Sequence, residues 1–125
     1  MFEQDYIMRL IKEMVRTILK LLFNIDSEQP TIELLEDHEE KSTLEVFLNM
    51  VDAGEINEAE NRIFTIIETG NKTSLKWVLL FYSYLNEKTD EFLAENNFSR
   101  KEIQDDLKYV LSQYGLGSMT EMFLT

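Results

Sequence analysis

At 125 residues, with one proline, four glycines and no cysteine, the chain has the length of a single domain and can form neither a disulfide nor a thiolate metal site. Hydrophobic residues make up 44% and aromatic residues 11%, which suffices for a core and exceeds what a disordered chain carries. A formal net charge of −12 repels phosphate and argues against nucleic acid as a partner.

Residues 2–23 read as one helix. Ile7, Met8, Ile11, Met14, Val15, Ile18, Leu19 and Leu22 recur at helical spacing and share a face, while Arg9, Lys12, Arg16 and Lys20 lie opposite. Tyr6, Leu10 and Leu21 widen the apolar arc beyond half the circumference. A helix covering one side of a small core needs only about a 100° stripe, so the surplus predicts burial on two sides. The second cover is expected to come from another molecule.

Residues 24–29 read as a loop, and Pro30 suits a first helical position. Thr31 to Glu40 forms at most a short acidic helix, because Glu33, Glu36, Asp37 and Glu40 repel at three- and four-residue spacing. Ser42-Thr43-Leu44-Glu45 has the capping-box pattern and is expected to open a helix through Phe47, Leu48 and Val51 that Gly54 closes. Asn57 with Glu60 is a weaker cap for a helix carrying Ala59, Ile63, Phe64, Ile66 and Ile67, ended by Gly70. Thr73 or Ser74 should cap a helix over 75–86. That segment is apolar nearly all round, with Lys76 and Ser83 as its polar strip, and so is expected at the centre of the core with Trp77, Phe81, Tyr82 and Tyr84. A short helix follows over 90–95. Ser99 and Glu102 form a second capping box, opening a helix through Ile103, Leu107, Val110, Leu111 and Tyr114 that stops at Gly115. Ser118 and Glu121 can cap a last turn bearing Met119, Met122, Phe123 and Leu124. No alternating strand pattern or hairpin turn is present. The expectation is an all-α bundle of six to seven helices in one domain, 1–125, made of a long amphipathic helix (1–23), an acidic connector (24–42) and a helical core (43–125).

Charge is uneven along the chain. Residues 26–60 hold twelve acids against the single base Lys41, while residues 1–25 are slightly basic. A solvated face is the plain reading of the acidic stretch; the sharper one has it meeting a basic partner, such as the first helix of another copy. The opening Met1-Phe2-Glu3-Gln4-Asp5 is unlike a secretory signal. The longest apolar run, Trp77 to Tyr82, is six residues, against the roughly 20 that span a bilayer. A cytoplasmic protein is expected.

Chemistry-bearing motifs are few. The sole histidine, His38, would have Leu34, Leu35, Lys41 and Ser42 as helical neighbours and no carboxylate partner, so no metal or cofactor is implied. There is no phosphate-binding glycine loop and no EF-hand, and carboxylates are too plentiful to mark acid–base catalysis. Tyr109 and Tyr114 are expected at the core edge with their hydroxyls in water.

Gly54-Glu55-Ile56-Asn57-Glu58-Ala59, with Ile63 following, resembles the second half of a tetratricopeptide repeat; without a second copy at a period near 34 residues, this implies a helix pair rather than an array. Over nearly its whole length, through Phe2 to Arg9, Ala53 to Arg62 and Asn97 to Ile103, the chain also resembles a family of small acidic bacterial proteins of unknown function. That resemblance implies an all-helical, tetratricopeptide-like domain and supplies no catalytic residues. The function expected is non-enzymatic: an interaction module, self-associating as a homodimer. Its contact residues would be Ile7, Leu10, Ile11, Met14, Ile18, Leu21, Met119, Met122 and Phe123, with Arg9, Lys12, Arg16 and Lys20 as a basic face. One alternative is a bundle holding a small molecule between helices. A further one is a membrane-surface protein using the basic first helix, which the acidic stretch opposes.

Overall fold

The structure, a computed structural model, describes the backbone of residues 2–28, 30–69 and 75–123 and the side chains of 5–28, 30–69 and 75–121. Seven α-helices lie within those residues: α1 (Phe2–Phe23), α2 (His38–Asp52), α3 (Ile56–Glu68), α4 (Leu75–Asn86), α5 (Asp90–Glu95), α6 (Arg100–Gln113) and α7 (Gly117–Phe123). A single 3-10 turn, Ile32–Leu34, precedes α2. No strand occurs among the described residues.

α4 is the centre, as its all-round apolar character requires. It packs against α1, α2 and α6, and nine of its residues are buried, Trp77, Phe81 and Tyr82 among them. Tyr84 is half-buried. Phe47 of α2 stacks on Trp77 with ring centroids 5.5 Å apart and meets Phe81 edge-on. α6 packs on α1, α3, α4 and α7, so Ile103, Leu107, Val110 and Leu111 all lie in the same core.

The turns follow from left-handed residues. At the end of α2, Gly54 (φ +85°) places its N–H on the Val51 carbonyl (2.9 Å) and the Glu55 N–H on Met50 (2.8 Å), closing a Schellman motif. Asn97 (φ +57°) does the same after α5, with Phe98 N–H on the Leu93 carbonyl at 2.9 Å. The Ser99–Glu102 capping box is present with both hydrogen bonds.

Several boundaries differ from expectation. α2 starts at His38 rather than beyond Ser42, so residues 38–42 are helix and not connector. Asp37 is the cap, accepting from the Glu39 and Glu40 N–H groups at 2.8 and 3.1 Å. Glu39 and Glu40 then sit in the first turn, where the positive end of the helix dipole favours them and offsets the repulsion expected of the acidic run. Ser42 and Glu45 fall inside the helix. Pro30 lies outside any helix. Asn57 is within α3 rather than before it; Glu55 takes the cap position without a side-chain bond. Ser118 is likewise inside α7. Gly70, Thr73 and Ser74 lie outside the described residues.

Candidate functional site

α1 is buried on two sides, but its own chain supplies both covers. α4, α6 and α7 pack against it, leaving Ile7 8% exposed and Ile11, Met14 and Ile18 fully buried. The contact surface expected at Ile7, Ile11, Met14 and Ile18 is therefore core; the broad apolar arc is needed because α1 is wedged between α4 and the α6–α7 pair. Leu10 is half-buried, and Met119 packs partly buried against the core. The side chains of Met122 and Phe123 lie outside the described residues.

What stays open on α1 is its C-terminal end. Leu21 is 66% exposed and Leu22 49%, with half-buried Phe23 and Ile25 beside them. Tyr6 is exposed at the opposite end. Arg9, Lys12 and Lys20 are exposed and Arg16 half-buried. Arg16 reaches Glu13 only at 3.8 Å and Lys20 reaches Asp26 only at 3.9 Å. Arg9 and Lys12 make no ion pair among the described residues.

The acidic stretch divides in two. Glu36, Asp37, Glu39 and Glu45 are exposed, and Glu33 pairs with Lys41 at 3.3 Å. Asp52 and Glu60 are used internally. Asp52 accepts from Lys88 Nζ (2.8 Å) and from the Tyr84 hydroxyl (2.6 Å), while Lys88 lies over the Tyr84 and Phe92 rings. The Lys88 hydrogen bond leads in holding the Asp52 carboxyl below its ordinary value, and the Tyr84 bond adds to it.

Glu60 is 3% exposed and accepts from the Tyr82 hydroxyl at 2.8 Å. Burial pushes its carboxyl up to about 9, and a hydrogen bond with Asp106, the charge of Asp106 and that of Glu102 push the same way; the Tyr82 bond opposes them. Asp106 is also raised, by burial first, while its bond with Glu60 pulls it down. Both carboxyls are thus pushed up, as two acids in contact inside a core must be.

A cavity of about 280 Å³ lies between α1 and α4, lined by Met8, Lys12, Pro30, Ser83, Asn86 and Glu87. Asn86 is 3% exposed; its Nδ2 donates to the Met8 carbonyl at 3.0 Å, and its Oδ1 has no partner among the described residues. Behind it, the buried Arg100 guanidinium donates to the carbonyls of Asn86 and Lys88 and to Asp90.

His38 is exposed at the start of α2. No group of three or more His, Asp or Glu is placed to hold a metal among the described residues, nor is any helix there long and apolar enough to cross a membrane. The Tyr109 hydroxyl donates to Glu68, and its ring meets Phe64 edge-on.

Two of these polar residues left traces in the sequence. Glu60 stands four residues after Ile56 and three before Ile63, inside the apolar stripe of α3. Arg100 is a base at a helix N-terminus, where the dipole disfavours it, a sign of employment elsewhere.

The molecule is thus an all-α bundle built round one apolar helix, with its polar chemistry gathered at helix junctions. The chain belongs to the family of unknown function DUF6483, whose model matches residues 1–115. No curated protein and no solved structure matches it.

Proposed function

We propose that this chain is a non-enzymatic interaction module whose partner is a second copy of itself. The observation that carries this is the pair Leu21 and Leu22, 66% and 49% exposed at the end of a helix whose bases are poorly satisfied within the chain. The exposed acids from Glu36 to Glu45 are the complement of that basic stripe. In a two-fold pairing each copy offers both surfaces, so both contacts form at once. The reading includes α2 and α3 as a tetratricopeptide-like pair packed through the fully buried Ala59, in a cytoplasmic bacterial protein; the lack of cysteine fits that compartment.

Light scattering after size exclusion tests it. At about 100 µM and low salt, the expected mass is twice the 14.8 kDa of the single chain. Leu21→Ser with Leu22→Ser should return the monomer, and Lys20→Glu should weaken the pair. Raising salt to about 1 M, where screening acts within ~3 Å, should weaken it too. A wild-type monomer under the first conditions overturns the reading.

A second reading rests on the cavity. Lys12 and Glu87 bring opposite charges to its wall, and Ser83 adds a hydroxyl, which suits a small zwitterion such as a free amino acid. Thermal-shift titration with glycine, glutamate and lysine tests this: a rise in melting temperature that Lys12→Met abolishes supports it, and no shift with any of the three rejects it.

A further inference from the structure

α3 is held by its neighbours α2 and α6 and presents the fully buried Ile56, Ala59 and Ile63 to the core. In the middle of that apolar face stands Glu60. From α4 the Tyr82 hydroxyl donates to its Oε2 at 2.8 Å. From α6 it meets Asp106 in a hydrogen bond and feels Glu102, while Asp105 acts in turn on Asp106. α2 meets the core through the apolar Leu44, Phe47 and Val51. Among the described residues, the groups acting on Glu60 are Asp106, Glu102 and Tyr82, with no cation, so the two carboxyl groups stay in contact by sharing a proton.

We propose that Glu60 and Asp106 form a proton-dependent latch that fastens α3 to α6 and lets α3 lift away when the shared proton is lost. With the proton in place, the Glu60 O–H donates to the Asp106 carboxylate and Tyr82 donates to the other Glu60 oxygen. When a base in solution takes the proton, two carboxylates face each other beside Glu102 and Asp105, and one tyrosine hydroxyl cannot neutralise them. Separation is the relief. α3 is the element that moves, since α4 and α6 are each gripped by α1 and by one another. Opening would bare Ile56, Ala59 and Ile63 together with the α6 surface beneath them, a surface the closed protein does not offer.

The signature is a pH-linked opening confined to α3. The open state has an ordinary glutamate, near 4.5, and the closed state one pushed up to about 9. Between those limits opening releases one proton, so its equilibrium constant rises up to tenfold per pH unit. Amide hydrogen exchange of the full chain at several pH values across that span, corrected for intrinsic rates, reads this directly. Protection in α3 should fall up to tenfold per unit in the wild type, and the profile should be flat in Glu60→Gln, which keeps the hydrogen bonds but cannot ionise. An unchanged slope in Glu60→Gln overturns the latch, as does an equal loss of protection in α4 and α6. Carboxyl NMR of the wild type decides independently of any variant: Glu60 titrating at its ordinary value also overturns it.

Discussion

Arg100 holds Asp90 at 2.6 Å with only 4% of its own side chain exposed. The same guanidinium donates to the backbone carbonyls of Asn86, the last residue of α4, and of Lys88 two residues beyond it (2.9 Å). One side chain thus caps α4, fixes the start of α5 and anchors the first residue of α6. Removing it strands two carbonyls and a carboxylate. Arg100→Met should therefore destabilise by about 3–5 kcal/mol, the usual loss when one partner of a buried ion pair is deleted. Arg100→Lys should recover only part, since one ammonium nitrogen cannot stand where the two guanidinium nitrogens that serve these acceptors stand. Asp90→Asn should cost less, because Asp90 is 38% exposed. Urea midpoints at constant m-value check the order.

Gly54 and Gly115 make a controlled comparison. Both sit at positive φ, +85° and +78°, so alanine at either meets about 1–2 kcal/mol of left-handed strain. A Cβ at Gly54 would also stand 2.4 Å from Asn96 Oδ1, whereas a Cβ at Gly115 meets nothing within 4 Å. The Asn96 amide does not swing aside freely, because its Nδ2 donates to the Phe92 carbonyl at 2.8 Å. Gly54→Ala should hence be clearly the more destabilising. Adding Asn96→Ala should return the steric part and leave the backbone part, so the two changes are non-additive in denaturation measurements.

These residues also mark what sequence alone could read. The helices were legible because periodicity and caps are local: α1, α4 and α5 lie where the spacing puts them, and Ser99 caps α6 as its pattern says. The Ser42 pattern does not act as the cap because Asp37, five residues earlier, caps the helix first and brings Glu39 and Glu40 to the favourable end of the helix dipole. The apolar arc of α1 shows in the sequence that two neighbours cover it, but its width does not say which molecule provides them; α4 and the α6–α7 pair do so here. The junctions of Glu60 with Asp106 and of Arg100 with Asp90 are products of the tertiary path, which joins side chains that no spacing relates.

Asp52 and Glu60 should give the pH profile opposite limbs. The Asp52 carboxyl lies below its ordinary value of 3.8 because Lys88 and Tyr84 bind its charged form. Its contribution is thus present above that value and lost as pH falls through the lower folded value. Glu60, raised when folded, contributes fully below its ordinary value and loses that contribution as pH rises toward about 9. Melting temperatures across pH should show both limbs. Asp52→Asn should flatten the acid one alone, and Lys88→Met should move the Asp52 carboxyl resonance titration upward.

Trp77 is the only tryptophan and is 2% exposed, so its emission reports this core alone. Its partner Phe47 lies parallel at 5.5 Å, with an interplanar angle of 6°, and joins α2 to α4. Because the indole is shut from water, native emission should be blue-shifted and poorly quenched by acrylamide, moving red only with the cooperative loss of helix. Phe47→Ala should destabilise by about 3–5 kcal/mol, combining lost burial with a cavity beside the indole. Phe47→Leu keeps most of the volume and loses the ring contact, worth about 0.5–1.5 kcal/mol beyond area. If the stack is the joint between α2 and α4, both variants should raise native quenching of Trp77 while leaving helix content unchanged. Quenching equal to wild type would place the rigidity of that joint in Phe81 and Leu44 instead.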